Sequence, residues 1–182
     1  MPVAPPAARL LGVMRGPSRR TALVAVAVLA AAVLAVACTD GDPTTAPEGF
    51  DARIAVVTGA DGPVEHCVWV ADTDERRARG MMGATGFGAA DAMAFVHDAP
   101  TSGRFWMKGT LIPLSIVFFD GSGTYLDGFD MQPCTAADPA DCLRYDTPIA
   151  YRVAIETALG DAGRLGLVPG SSVEITDRVC GS

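Results

Sequence analysis

The chain has 182 residues, of which 21 are acidic and 14 are basic, and its formal net charge at pH 7 is −7. Four of the basic residues lie in the first 37 positions, which contain no acid, so the rest of the chain carries 10 basic against 21 acidic side chains. This surplus of acid argues against nonspecific nucleic-acid binding, which needs clustered Lys and Arg, and no nucleic-acid partner is expected.

The N-terminal segment has the pattern of a lipoprotein signal peptide. The pair Arg19-Arg20 precedes an apolar run, residues 21–37, which ends in small residues directly before Cys38. A basic start, a short apolar stretch and a small-residue cleavage site followed by Cys are typical of exported lipoproteins. We therefore expect residues 1–37 to be removed and a lipid on Cys38 to anchor an extracytoplasmic protein to the cell membrane. An uncleaved membrane anchor is the alternative.

Residues 38–52 are predicted to form a flexible tether. They are rich in Pro, Thr, Asp and Gly and offer few apolar side chains to a core. The remaining residues, 53–182, suffice for one domain with a core of its own.

Short β-strands dominate the pattern of this domain. Apolar residues alternate or run together in segments 53–57, 64–71, 92–97, 104–107, 114–120, 124–131, 149–157 and 172–175. The letters DGSG at 120–123 indicate a hairpin, and Thr73 and Gly80 suit the two ends of a short helix. A second helical turn is expected near residues 161–165. The predicted fold is a single, mainly β domain, an antiparallel sandwich or barrel-like, with one or two short helices.

Four cysteines remain beyond Cys38, and an even number in an oxidising compartment favours two disulfides. Cys134 and Cys142 lie close together in a polar loop and are expected to pair. Cys67 and Cys180 then pair by default, unless Cys67 remains a buried thiol. The chain has no CxxC or HxxxH spacing, so no metal site of that kind is expected.

Five segments of the domain, taken in order, resemble a known family. They read ADTDERRARGMM, DAMAFVH, FWMKGTLIPLSIVFFD, MQPC with a later Cys and Tyr, and IETALGDAGRLGLVPGSSVEI. The family is that of extracytoplasmic proteins with domain of unknown function 192, and the resemblance covers roughly residues 54–176. It implies a compact, mainly β domain, often with a signal or lipid anchor, and it brings no established activity.

The most specific of these matches lies in the third segment. The residues that match the family motif are Phe105, Trp106, Met107, Lys108, Thr110, Pro113 and Leu114, with Gly80 and Met82 upstream. Two positions depart from it, because the family usually has Asn where this chain has Gly109 and Asp where it has Ser115. If those polar groups bind something in relatives, that site is altered here.

Trp106, Lys108 and Thr110 are the candidate ligand-binding residues. Trp106 and the only lysine, Lys108, alternate with Phe105 and Met107 on a predicted strand, so they share one face. An aromatic ring beside a cation suits a carbohydrate or an anionic ligand. The alternative is that Trp106 packs in the core and Lys108 pairs with one of the many acids.

The leading functional hypothesis is a noncatalytic binding or accessory module of the cell envelope. It would take a small polar or glycan ligand or an envelope protein partner, and it would need no cofactor. The second hypothesis is an envelope enzyme that acts on a glycan or another polar substrate through Asp120 or Asp130 with Lys108. The competing explanation of these acids is a solvated hairpin.

A third hypothesis is the handling of a soft metal such as copper. The domain has five methionines, and their thioethers are soft ligands: Met81, Met82, Met93, Met107 and Met131. Core packing explains methionines more simply, so no metal ligand and no catalytic residue is assigned from the sequence.

Overall fold

Nine β-strands and one short α-helix make up the described part of a computed structural model, which comprises residues 49–134, 136–148 and 150–181. The elements are β1 (Asp51–Gly59), β2 (Gly62–Ala71), α1 (Asp74–Arg79), β3 (Ala92–Thr101), β4 (Arg104–Trp106), β5 (Leu114–Phe119), β6 (Tyr125–Met131), β7 (Arg144–Asp146), β8 (Tyr151–Ala158) and β9 (Ser172–Val179). The predicted signal peptide, Cys38 and the tether as far as residue 48 lie outside the described residues.

Seven of the strands form one curved sheet in the order β6-β5-β8-β3-β2-β1-β9, while β4 and β7 pair separately. The prediction of a mainly β, sandwich-like domain is confirmed, and the sheet does not close into a barrel. It is mixed rather than purely antiparallel, because β2 and β3 run parallel. Parallel neighbours need a crossover, and here the chain between β2 and β3 contains α1 and a Gly-rich loop.

The central strands are buried on both faces. Every residue of β5 is buried, and successive side chains join two different hydrophobic clusters. One cluster contains Phe118 and is covered by Met81 and Met107. The other contains Phe119 and is covered by Leu165 and Leu167. Burial of both faces explains why β5 is a continuous apolar run instead of an alternating one.

The first strand begins earlier than the sequence predicted. Phe50 and Ala52 are buried and β1 starts at Asp51, so the expected tether boundary at residue 52 lies inside the strand. The aromatic ring of Phe50 joins the core cluster around Phe118, which a tether residue would not do.

Local signals place the short helix and the turns. The Thr73 hydroxyl accepts a hydrogen bond from the Arg76 N–H at 3.2 Å, and α1 ends at Gly80, whose φ is +45°. The helical turn expected near 161–165 is a single turn, in which the Leu165 N–H donates to the Asp161 carbonyl. No helix in the described ranges has the length and apolar character needed to span a bilayer.

Two disulfides connect the described strands and loops, and both pairs are those expected from the sequence. Cys67 on β2 is bonded to Cys180 directly after β9, across 113 positions of sequence. Cys134 is bonded to Cys142 across eight positions. The loop closed by the second bond also contains a short 3-10 turn, Pro139–Asp141, and leads into β7, neither of which the sequence predicted.

Candidate functional site

A cleft of about 280 Å³ opens on one face of the large sheet. One wall is formed by α1 and the turn that follows it, and the other by β4 and the segment after it, with β3 and β8 beneath. The lining residues are Arg77, Ala78, Arg79, Gly80, Met81, Met82, Phe95, His97, Arg104, Phe105, Trp106, Lys108, Thr110, Tyr151 and Glu156.

Backbone hydrogen bonds hold the segment after β4 in place. The Thr110 N–H donates to the Met107 carbonyl at 3.1 Å, and the Gly83 N–H donates to the Gly109 carbonyl at 2.8 Å. The Cys134 N–H also donates to the Met107 carbonyl, at 3.3 Å, which ties this wall to the disulfide loop. The segment therefore presents its side chains to the cleft from a fixed backbone.

The three residues singled out from the sequence all line this cleft: Trp106, Lys108 and Thr110. Lys108 Nζ lies 5.2 Å from the centroid of the Trp106 ring. The guanidinium carbon of Arg144, the cross-strand neighbour of Trp106, lies 3.6 Å from the same centroid. Both distances allow cation–π attraction, so the ring helps to collect positive charge at the cleft.

Four cationic side chains line the cleft: Arg77, Arg79, Arg104 and Lys108. Arg77 is fixed in position, because it donates to the Asp74 carboxylate at 2.6 Å and to the Val96 carbonyl at 2.7 Å. Arg104 and Lys108 form no ion pair with any residue in the described ranges. The alternative in which Lys108 is neutralised by a nearby acid is therefore not what the described residues show.

His97 and Tyr151 add hydrogen-bonding groups to the cleft but little charge. His97 Nε2 lies 3.4 Å from the Tyr151 hydroxyl oxygen. Burial lowers the pKa of His97, and the nearby charge of Arg77 lowers it further. Burial raises the pKa of Tyr151. Both side chains are therefore uncharged for the most part at neutral pH.

Glu156, like Arg104, is a residue of this cleft that the sequence reasoning missed. It lies on β8 between Met93 of β3 and Ile116 of β5, and only 4% of its surface is exposed. No described residue forms a hydrogen bond or an ion pair with its carboxyl group, and burial raises its pKa to about 8. The available signal was one acidic residue inside the strongly apolar strand that contains the letters VAIETA.

The family model for domain of unknown function 192 (DUF192), described as an uncharacterized ACR, matches residues 55–175. This chain belongs to the DUF192 family. The resemblance indicated by the sequence motifs is thereby confirmed. No protein of curated function matches this DUF192 chain.

Two crystal structures share the fold of this DUF192 domain. One is a protein of unknown function from Novosphingobium aromaticivorans, with a TM-score of 0.58 and 27% identity, covering 76% of this chain and 99% of its own. The other, from Sinorhizobium meliloti, is described as a candidate transcription regulator. It has a TM-score of 0.59 and 21% identity and covers 71% of this chain and 97% of its own, a likeness that concerns the fold alone.

The two departures from the family motif have different structural consequences in this DUF192 domain. The Ser115 hydroxyl donates to the Asp130 carboxylate at 2.6 Å and accepts from the Gly160 N–H at 2.9 Å, so it links β5 to β6 and to the turn after β8. Gly109 has a φ of +66°, a conformation that glycine adopts without strain and that Asn tolerates better than most residues. Ser115 is thus a structural group, and Gly109 shapes the cleft wall.

The carboxylates of the β5–β6 hairpin are not part of the cleft. Asp120 accepts hydrogen bonds from the Ser122 hydroxyl and N–H and from the Thr124 N–H, and these bonds lower the pKa of Asp120. Neither Asp120 nor Asp130 is among the described residues that line the cleft with Lys108. The structure therefore does not bring either carboxylate into the cleft beside Lys108, as the enzyme hypothesis expected.

The methionines serve mainly as core residues. Four of the five are almost fully buried in one hydrophobic cluster: Met81, Met93, Met107 and Met131. Within the described ranges, no group of three or more His, Cys, Asp or Glu side chains is arranged to hold a metal ion. Packing therefore accounts for these four methionines, while Met82 lines the cleft.

Proposed function

We propose that this protein is a lipid-anchored binding module of the cell envelope whose cleft takes a small anionic ligand, such as an acidic glycan. The observation that carries this proposal is the pair of cations, Arg104 and Lys108, which line one cleft without a carboxylate partner among the described residues. They do so in a chain with a net charge of −7, in which five other described arginines do pair with an acid: Arg53, Arg76, Arg77, Arg164 and Arg178.

Charge and shape both favour an anion at this position. A cleft lined by one sign of charge raises the local concentration of the opposite ion. Trp106 adds aromatic surface to the cleft wall, beside the Arg144 guanidinium, which already lies 3.6 Å from the centroid of its ring. The buried hydroxyl-bearing residues Thr110 and Tyr151 supply hydrogen-bonding groups beside it.

The composition of the cleft supports binding rather than glycan hydrolysis. Glycoside hydrolysis ordinarily uses two carboxyl groups on either side of the scissile bond. Among the described residues, Glu156 is the single acid that lines the cleft. A binding module needs no second carboxylate.

Replacing Arg104 or Lys108 with Met is expected to weaken anion binding about tenfold for each substitution, because each removes one charge-assisted contact. Titration of glucuronate and sulfate into the full-length protein, followed by calorimetry, measures the dissociation constants. Arg164→Met is the matched control, since it removes one positive charge at an exposed ion pair with Asp161, outside the cleft. Equal losses in all three variants would show that net charge, not the cleft, governs binding.

A lipid on Cys38 is proposed as the anchor. The apolar run and the small residues before Cys38 support it, and the two disulfides fit an oxidising, extracytoplasmic compartment. Only ten residues separate Cys38 from Gly49, which limits the reach of the tether to about 40 Å. An anchored domain would therefore remain close to the membrane surface.

Changing Cys38 to Ser is expected to move the protein from the membrane fraction to the soluble fraction, because the thiol is the only attachment point that the signal provides. Fractionation of cells that express the parent and the variant measures this, and mass spectrometry of the parent identifies the lipidated N-terminus. A variant that stays in the membrane at the parent level would instead support an uncleaved anchor.

A further inference from the structure

Glu156 has no role in the fold that its surroundings explain. Its carboxyl group faces the cleft from β8, flanked by Met93 and Ile116, and none of the described residues provides it with a hydrogen bond. Buried polar groups are nearly always paired, and an unpaired one is costly to retain. An unpartnered carboxyl that faces an open cleft is available to hydrogen-bond to a molecule that enters it.

We propose that Glu156 binds the ligand of this cleft as a neutral carboxylic acid, donating a hydrogen bond to an oxyanion that Arg104 and Lys108 hold from above. This proposal rests on the anion-binding function proposed above. It adds the class of ligand, an oxyanion, and the proton that Glu156 keeps when the ligand binds. The ligand is an organic carboxylate, sulfate or phosphate with an acceptor oxygen free to point toward the sheet. One proton remains bound in the complex.

The charges that face Glu156 favour the acid form when an anion is bound. From α1 the cleft receives Arg77 and Arg79, from β4 and the segment after it Arg104 and Lys108, and from β3 and β8 the mostly uncharged His97 and Tyr151. Burial already raises the pKa of the Glu156 carboxyl to about 8. An ionised Glu156 would repel the bound anion, whereas the acid form donates to it.

A cationic ligand is disfavoured by the same surroundings. An ammonium group could pair with an ionised Glu156, but it would have to enter a cleft whose other charged side chains are all positive. The two kinds of ligand differ in the direction of proton movement. Binding of an oxyanion is accompanied by uptake of a proton by Glu156, whereas binding of an ammonium ligand would release that proton.

The pH range from 7 to 9 isolates Glu156 from the other groups of the cleft. The pKa of His97 is lowered and that of Tyr151 is raised, so neither changes charge appreciably in this range. Lysine and arginine side chains ordinarily stay protonated below pH 9. Sulfate and glucuronate also keep a constant charge, which makes them suitable probes.

The test measures the dissociation constants of sulfate and glucuronate for the full-length protein at several pH values between 7 and 9. With a pKa of about 8 and binding by the acid form only, the parent is expected to bind about tenfold more weakly at pH 9 than at pH 7. Glu156→Gln keeps a hydrogen-bond donor without a titrating proton, so its affinity is expected to stay near the pH 7 value throughout. Glu174→Gln, at an exposed position of β9, is expected to keep the pH dependence of the parent.

Proton uptake by the parent gives a second measurement that needs no variant. Calorimetry in buffers of different ionisation enthalpy is expected to show net uptake of a proton on binding near pH 8. Release of a proton, or parent affinities that do not change between pH 7 and 9, would overturn the role of Glu156 while leaving anion binding intact. Failure of the parent to bind either probe at any pH would overturn the proposed function itself, and this inference with it.

Discussion

Replacing Cys67 and Cys180 together with Ala is expected to lower the free energy of unfolding by about 4–5 kcal/mol. The bond closes a chain segment of 113 positions, and in the chain-entropy description a loop of that length restricts the unfolded state strongly. It also holds the end of β9, an edge strand, against β2 at the opposite side of β1. Urea unfolding followed by circular dichroism measures the loss.

The second disulfide is the internal control for this prediction. Cys134 and Cys142 are only eight positions apart, and the same description assigns their removal a smaller cost of about 2–3 kcal/mol. A larger loss from Cys134→Ala/Cys142→Ala than from the first pair would contradict the entropic account. It would mean that the loop beside the cleft depends on its bond for native contacts as well.

Glu156 is expected to make a contribution of its own to the pH dependence of the stability of the domain. Burial raises the pKa of Glu156 from 4.5 to about 8, so between these values the folded protein holds a proton that the unfolded chain has released. The contribution of Glu156 to the free energy of unfolding is fully present below pH 4.5 and is lost as the pH rises to about 8. One pKa unit corresponds to about 1.4 kcal/mol, so the total loss is about 5 kcal/mol.

Comparison with Glu156→Gln separates this contribution from the titration of other groups. Relative to the parent, the Glu156→Gln variant is expected to gain about 1.4 kcal/mol in free energy of unfolding for each pH unit from pH 5 to 8. Above pH 8 this difference is expected to stay constant. Glu174→Gln makes the same substitution at an exposed position of β9 and is the matched control. A pH dependence for Glu156→Gln no steeper than that of the control would mean that burial does not shift the ionisation of Glu156.

Much of the secondary structure could be predicted because its causes are local. The short helix follows from the hydroxyl of Thr73 at its start and Gly80 at its end, and both lie where the sequence placed them. The hairpin after β5 follows from the letters DGSG and from the carboxylate of Asp120, which accepts hydrogen bonds from the turn. Alternation located most strands to within a few residues.

Long-range packing decided the features that the sequence did not predict. The parallel pairing of β2 with β3 depends on where the crossover packs, which no local pattern specifies. The three-residue strand β7 pairs with β4 across about forty positions, and three residues are too few to show alternation. The strand β1 starts at Asp51, before the predicted strand at residue 53, and the preceding Phe50 is buried by a core that forms far along the chain.

The sequence by itself determined the family, the mainly β fold and the pairing of Cys134 with Cys142, and it left Cys67 open between a disulfide and a buried thiol. These depend on motifs, alternation and counting, which are properties of neighbouring residues. Only the tertiary structure decided that cations from α1, Lys108 and the buried Glu156 line the same cleft. The arrangement depends on burial, because a glutamate on a strand is ordinarily a surface residue. Only the packing of β3 and β5 on both sides of β8 removes Glu156 from water and raises its pKa.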